Sequence, residues 1–170
     1  MQLFQRRRWI HPDRVAEGLD AFVAQLDWID AHTGLAMAGW RAEGPLRALT
    51  AEPGAILATT TYDDHGWFLQ EVARLQSLGD YGPVNDATAA LTVGDDAFER
   101  WDAPVDLPSD WTLDDPTFRQ DAGPDTVVPG VLIWSNVEGG EGLVAWFPDD
   151  DEPASAAGNG IRTERWRRIH

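Results

Sequence analysis

PDRVAEGLDAFVAQLDWIDAH, residues 12–32, decides the fold class. Val15, Leu19, Phe22, Leu26 and Ile29 recur at helical steps, so one face of an α-helix is apolar and must cover something. Pro12 suits a first-turn position, Asp13 and Glu17 lie near the positive end of the macrodipole, and His32 with Gly34 closes the element. The stretch predicts a long amphipathic N-terminal helix over 13–32. Trp28 lies off the stripe, as a second packing contact or as an anchor for a partner.

Outward from this helix, 34–54 is broken by Gly34, Gly39, Gly44, Pro45, Pro53 and Gly54 and reads as irregular. Residues 55–61 (AILATTT) read as a short strand. A second, shorter helix follows from Trp67 to about Leu78, with Phe68, Val72 and Leu75 on one face, Asp64 as N-cap and Gly79 at its close. Past the Tyr81-Gly82-Pro83 turn the chain becomes β-like. Residues 89–93 and 98–101 flank Gly94-Asp95-Asp96 as a hairpin, and 131–136 and 142–147 form a second around Gly139 and Gly140. Between them 103–129 is a long Pro- and Asp-rich loop, partly pinned by Trp111, Leu113 and Phe118. The two ends, RRRWI at 6–10 and RWRRI at 165–169, share a texture that suggests neighbouring strands. The expected architecture is α+β in a single domain, 1–170: both helices packed on a mostly antiparallel sheet built chiefly from the C-terminal half.

With 170 residues, 43% of them hydrophobic, and nine Trp, six Phe and two Tyr, the chain has the material for one core. No apolar run approaches the ~20 residues that cross a bilayer as a helix. The N-terminus lacks the apolar stretch of a signal peptide, so no membrane association and a cytoplasmic location are expected. Lys is absent, which excludes a P-loop and Schiff-base chemistry; Cys is absent, which excludes disulfides and thiolate nucleophiles. The charge is unusual. The net value is −16, but eight of the 13 Arg lie at the two ends, and 15–161 carries five Arg against 27 acids, a net of −22. Such a field repels nucleic acid, so no direct nucleic-acid binding is expected, and it steers a basic protein partner inward.

Weighed together, the acidic body, the missing catalytic motifs and Trp40, Trp67, Trp101 and Trp111 in or near loop-rich segments point to an acidic inhibitor. Such a module would neutralise a basic toxin, nuclease or nucleic-acid-binding enzyme, in an immunity or antitoxin-like role. Its contact surface is assigned to Asp95, Asp96, Trp101, Asp110, Trp111, Asp114 and Asp115. A nucleic-acid mimic is a variant of the same idea. The rival reading is a small metal-assisted or general acid–base enzyme centred on Tyr62, Asp63, Asp64 and His65, where carboxylates adjoin an imidazole at a strand-to-helix junction. There Asp64 serves equally as a helix cap. Asp149 and Asp151 are weak candidate metal ligands in an acidic run that lacks the EF-hand spacing, and no cofactor is expected.

Overall fold

A computed structural model describes residues 1–42, 54–105, 107, 109, 111, 117–121, 132–138, 142–146, 162–163 and 166–170. It opens with a strand, β1 (Gln2–Ile10), which contains the 6–10 stretch whose texture suggests a strand and begins four residues before it. Leu3 and Trp9 pack on one side of it, Phe4 and Ile10 on the other, as the two-residue period of a strand requires. A 3-10 turn over Pro12–Arg14 leads into α1 (Val15–His32), the helix read from its stripe, which buries Phe22, Leu26 and Ile29. β2 (Ala38–Ala42) and β3 (Ala55–Tyr62) follow, then α2 (His65–Ser77), α3 (Tyr81–Ala89) and β4 (Thr92–Asp102).

β4 pairs with β1, β1 with β3 and β3 with β2, all antiparallel. With α1 after β1 and α2 and α3 between β3 and β4, this is the βαββαβ arrangement of ferredoxin-like folds. Three expectations need correction. The sheet is centred on strands of the N-terminal half, not the C-terminal half, and β1 precedes the long helix. Within 34–54, Ala38–Ala42 is a strand despite Gly39; a β-carbon there would run into Leu26 and Phe22 of α1, so the glycine lets the helix close on the sheet. Tyr81-Gly82-Pro83 begins α3, where Pro83 occupies the first turn and forfeits no intrahelical hydrogen bond.

The expected hairpin at 89–101 is also different. Thr92–Asp102 is one continuous strand, and the register against β1 jumps from Arg7↔Ala97 to Trp9↔Val93. Gly94-Asp95-Asp96 is therefore a bulge, with Gly94 at φ +73°, a backbone conformation that glycine adopts without strain.

The remaining strands are β5 (Thr117–Asp121), β6 (Leu132–Asn136), β7 (Gly142–Trp146), β8 (Arg162–Thr163) and β9 (Trp166–Arg168). β6 and β7 form the C-terminal hairpin the sequence predicts, and β5 lies inside the stretch expected to be a loop. Among the described residues the sheet has nine strands in the order β8-β5-β7-β6-β4-β1-β3-β2-β9. Its two edge strands are nearly consecutive in the chain. Three peptide steps from Thr163 to Trp166 span at most about 11 Å, β9 also contacts β5, and Trp134 of β6 shares one core cluster with Trp40 of β2 and Trp166 of β9, so the sheet curls toward a barrel, with no ladder among the described residues joining its two edges. The two Arg-rich ends are not paired with each other, but Arg7 on β1 sets its guanidinium 5.4 Å from the ring centre of Trp166 on β9.

The sheet consequently has two unlike faces. The barrel interior holds Leu3, Trp40, Leu57, Trp101, Trp134 and Trp166, with Trp9 and Trp111 at its margin. The outer face of β1–β4 carries α1, α2 and α3 over Ile10, Ile56, Ala58 and Tyr62. No helix among the described residues is long and apolar enough to cross a membrane.

Candidate functional site

Between the three helices and the outer face of the sheet lies a cavity of about 280 Å³. Phe4, Phe22, Leu26, Ile29, Phe68 and Leu75 supply apolar walls. One end is polar, because strand alternation turns Arg6 and Arg8 of β1 to this face alongside Phe4. The bulge in β4 brings Asp96 to meet both. Its Oδ1 accepts from Arg8 Nε at 2.9 Å, and its Oδ2 accepts from Arg6 Nε at 2.9 Å, from Arg8 Nη2 at 3.2 Å and from Arg6 Nη2.

The helices complete the network. Asn85 Oδ1 on α3 accepts from Arg8 Nη2 at 3.0 Å, Arg6 Nη2 at 3.3 Å and Gln25 Nε2 at 3.1 Å. Gln25 on α1 accepts from Arg8 Nη1 at 3.3 Å and reaches the Tyr81 hydroxyl at 3.4 Å. Arg8 is only 4% exposed, so this guanidinium is held by its partners and not by water. Thr88 Oγ1 donates to the Ala21 carbonyl at 3.2 Å and fixes α3 against α1. On the opposite wall Thr60 is buried, and its hydroxyl has no hydrogen-bond partner among the described residues.

The residues singled out in the sequence take other places. Asp96 faces inward and neutralises arginines, and Trp101 is wholly buried in the barrel, so neither offers the contact surface expected of it. Trp111 packs on Trp134, with ring centres 5.1 Å apart, and Asp95 is exposed on the bulge. Asp110, Asp114, Asp115, Asp149 and Asp151 lie outside the described residues. Asp64 caps α2, accepting from the backbone of Gly66 and Trp67 at 2.7 and 3.1 Å, while Asp63 is exposed.

Tyr62 and His65 do come together, with Arg100 of β4. Arg100 Nη1 lies 3.1 Å from His65 Nε2, which leaves Nδ1 to carry the ring proton toward the Tyr62 hydroxyl at 3.3 Å. Burial pushes the Tyr62 hydroxyl above its usual pKa, and the Arg100 guanidinium opposes that shift. His65 and Arg100 border an open groove with Phe68, Leu69 and Phe98. Among the described residues no group of three or more His, Asp or Glu side chains is placed to hold a metal ion.

This chain resembles several solved structures. A NIPSNAP domain protein from Burkholderia xenovorans has 14% identity and a TM-score of 0.50, over 64% of this chain and 100% of that one. A Fusobacterium nucleatum protein described as a "putative monooxygenase" has 10% identity and a TM-score of 0.56, over 85% and 73% of the two chains. A protein of the same description from Lactobacillus acidophilus has 9% identity and a TM-score of 0.51, over 98% and 92%. The likeness is one of fold. No family model and no curated protein matches this chain. The neighbours overturn the inhibitor, immunity and antitoxin reading. The charge argument placed the function on an acidic surface, whereas the fold is that of NIPSNAP and monooxygenase-like proteins.

Sequence reasoning missed Arg8, Gln25, Thr60, Tyr81 and Asn85. One signal was present: Gln25 sits between Phe22 and Leu26 in the buried stripe of α1, where a polar side chain needs a partner.

Proposed function

We propose that this chain binds a small, largely apolar molecule in the cavity between its helices and its sheet, and that the reaction served is oxidation by dioxygen. The observation that carries the binding is the cavity itself, apolar along its walls and polar at one end, the usual composition of a small-molecule site. At about 280 Å³ it is at the small end for such sites and suits a ligand of one or two rings. The reaction class is supported by the description of two fold neighbours as a "putative monooxygenase". An apolar cavity favours it further, because dioxygen is itself apolar and water is kept from the substrate. Among the described residues no carboxylate or imidazole lines the cavity, and those that do line it contribute binding, orientation and dryness.

Titration with 2-naphthol tests the site. Binding to the native chain and its loss in Ala58→Leu, which fills the cavity from β3, are expected, with the fold retained by circular dichroism. Unchanged binding in that variant overturns the assignment of the site. Dioxygen consumption with bound ring compounds tests the reaction, and a ligand that binds but is recovered intact under dioxygen counts against oxidation.

A further inference from the structure

We infer that the natural ligand of this cavity is an aromatic monoanion, with its anionic oxygens at Arg6 and Arg8 and a second polar oxygen at Thr60. The inference rests on the cavity reading above and adds the ligand's charge and polarity.

Charge comes first. Two guanidiniums face the polar end, and among the described residues Asp96 is the only carboxylate within ion-pair distance of either. The lining of the cavity adds no other acid, so this end carries one uncompensated positive charge, most of it shielded from water. A partly buried cation without a counter-charge is costly, and a bound monoanion supplies what is missing.

Hydrogen bonding gives the same sign. The two acceptors the arginines share are saturated: Asp96 takes four hydrogen bonds and Asn85 Oδ1 takes three, while Gln25 Oε1 takes one, from Arg8. Donors predominate among the groups left over. Arg6 uses Nε and Nη2, and Asn85 uses only its oxygen, so Arg6 Nη1 and Asn85 Nδ2 have no partner among the described residues. The Tyr81 hydroxyl, which accepts from Gln25, keeps its own proton to donate. Such a donor set matches a carboxylate or phenolate and leaves an ammonium group without acceptors.

Thr60 fixes the other end. Its hydroxyl is buried without a partner, a state that costs free energy unless something in the cavity completes it. Ala58 stands opposite Arg6 in the register, and Thr60 lies two residues farther along β3, on the same face, about 7 Å away. Phe4, Phe22, Phe68 and Phe98 line the space between. A flat ring with an anionic group at one end and a hydroxyl or carbonyl oxygen at the other satisfies both ends at once.

Calorimetric titration with four probes near neutral pH tests this: 6-hydroxy-2-naphthoate, its uncharged amide, 2-naphthoate and 2-naphthol. The hydroxy acid is expected to bind about tenfold tighter than its amide, a difference that Arg6→Gln erases and Arg6→Lys largely keeps. Thr60→Val should weaken the hydroxy acid about fivefold and leave 2-naphthoate unchanged. Equal affinity of the native chain for acid and amide overturns the anionic assignment and leaves the cavity reading standing. An equal loss for both acids in Thr60→Val overturns the assignment of the second oxygen. Failure of all four probes, 2-naphthol included, removes the cavity reading and this inference together. Should Arg6→Gln not fold, the acid-to-amide comparison on the native chain still decides.

Discussion

The two faces of one sheet differ more than any two elements of this molecule. Inside the barrel, alternate residues of β1–β4 meet Trp40, Trp101, Trp134 and Trp166, and large rings fill the space. On the outer face the intervening residues meet Phe22, Leu26, Ile29 and Phe68 from the helices and leave a cavity with an arginine–aspartate network at its end. The same backbone builds both, so a one-residue slip in β1 would exchange them. One face is spent on packing, the other on a site.

Breaking the packed face should have the largest effect. Trp101→Ala is expected to cost about 4 kcal/mol in denaturant unfolding, since a wholly buried ring is removed from a filled interior. Trp101→Phe sharpens the point. The indole Nε1 has no partner among the described residues, so losing it should cost less than about 1.5 kcal/mol. A large loss there would show that the nitrogen is bonded after all.

On the site face, Asp96→Ala leaves Arg6 and Arg8 without their carboxylate and is expected to cost about 3 kcal/mol. Chemical unfolding followed by Trp fluorescence reads it, and an effect below about 1 kcal/mol would mean that water already solvates the pair. Asp64→Ala removes the cap of α2, the helix that roofs the cavity beside Phe68; a loss of about 1 kcal/mol is expected.

Asp30→Asn should be smallest. Burial raises the Asp30 carboxyl pKa, the Met37 backbone N–H opposing, so the folded state binds its proton more tightly than the unfolded state does. Stability from this group is therefore present at low pH and falls as pH rises from the ordinary carboxylate value to the raised one. Asparagine keeps the acceptor for Met37 and lacks the partly desolvated charge. A slight rise in melting temperature at neutral pH, vanishing in acid, is the expected outcome; a drop at neutral pH would assign more weight to the His170 contact at 3.5 Å.

What the sequence discloses follows from how local each signal is. α1 and α2 are legible because stripe, cap and stop all lie within the helix itself. β1 is legible only in part: the texture of 6–10 suggests a strand, but three consecutive arginines mask the alternation that puts Arg6 and Arg8 on one face with Phe4 and Ile10. The bulge in β4 is hidden for a different reason. Gly94-Asp95-Asp96 has the composition of a turn, and only its partner strand shows that pairing resumes beyond it. That error carried Asp96 to the surface and with it the functional reading. Trp101 was misplaced likewise, since a Trp in a β-like segment is core or anchor according to neighbours contributed by β6 and β9.

The pairing of β9 with the N-terminal strand β2 bears on the order of folding. Residues 1–102 contain every strand and helix of the βαββαβ unit and can assemble from contacts within that span. The interior cannot be sealed until Trp166–Arg168 pairs with Trp40–Ala42, a contact across most of the chain. Pairings this distant are slow to form. Trp40 and Trp101 share a core cluster with Trp166, so their burial is completed only by this long-range pairing, and it is expected to come late in folding.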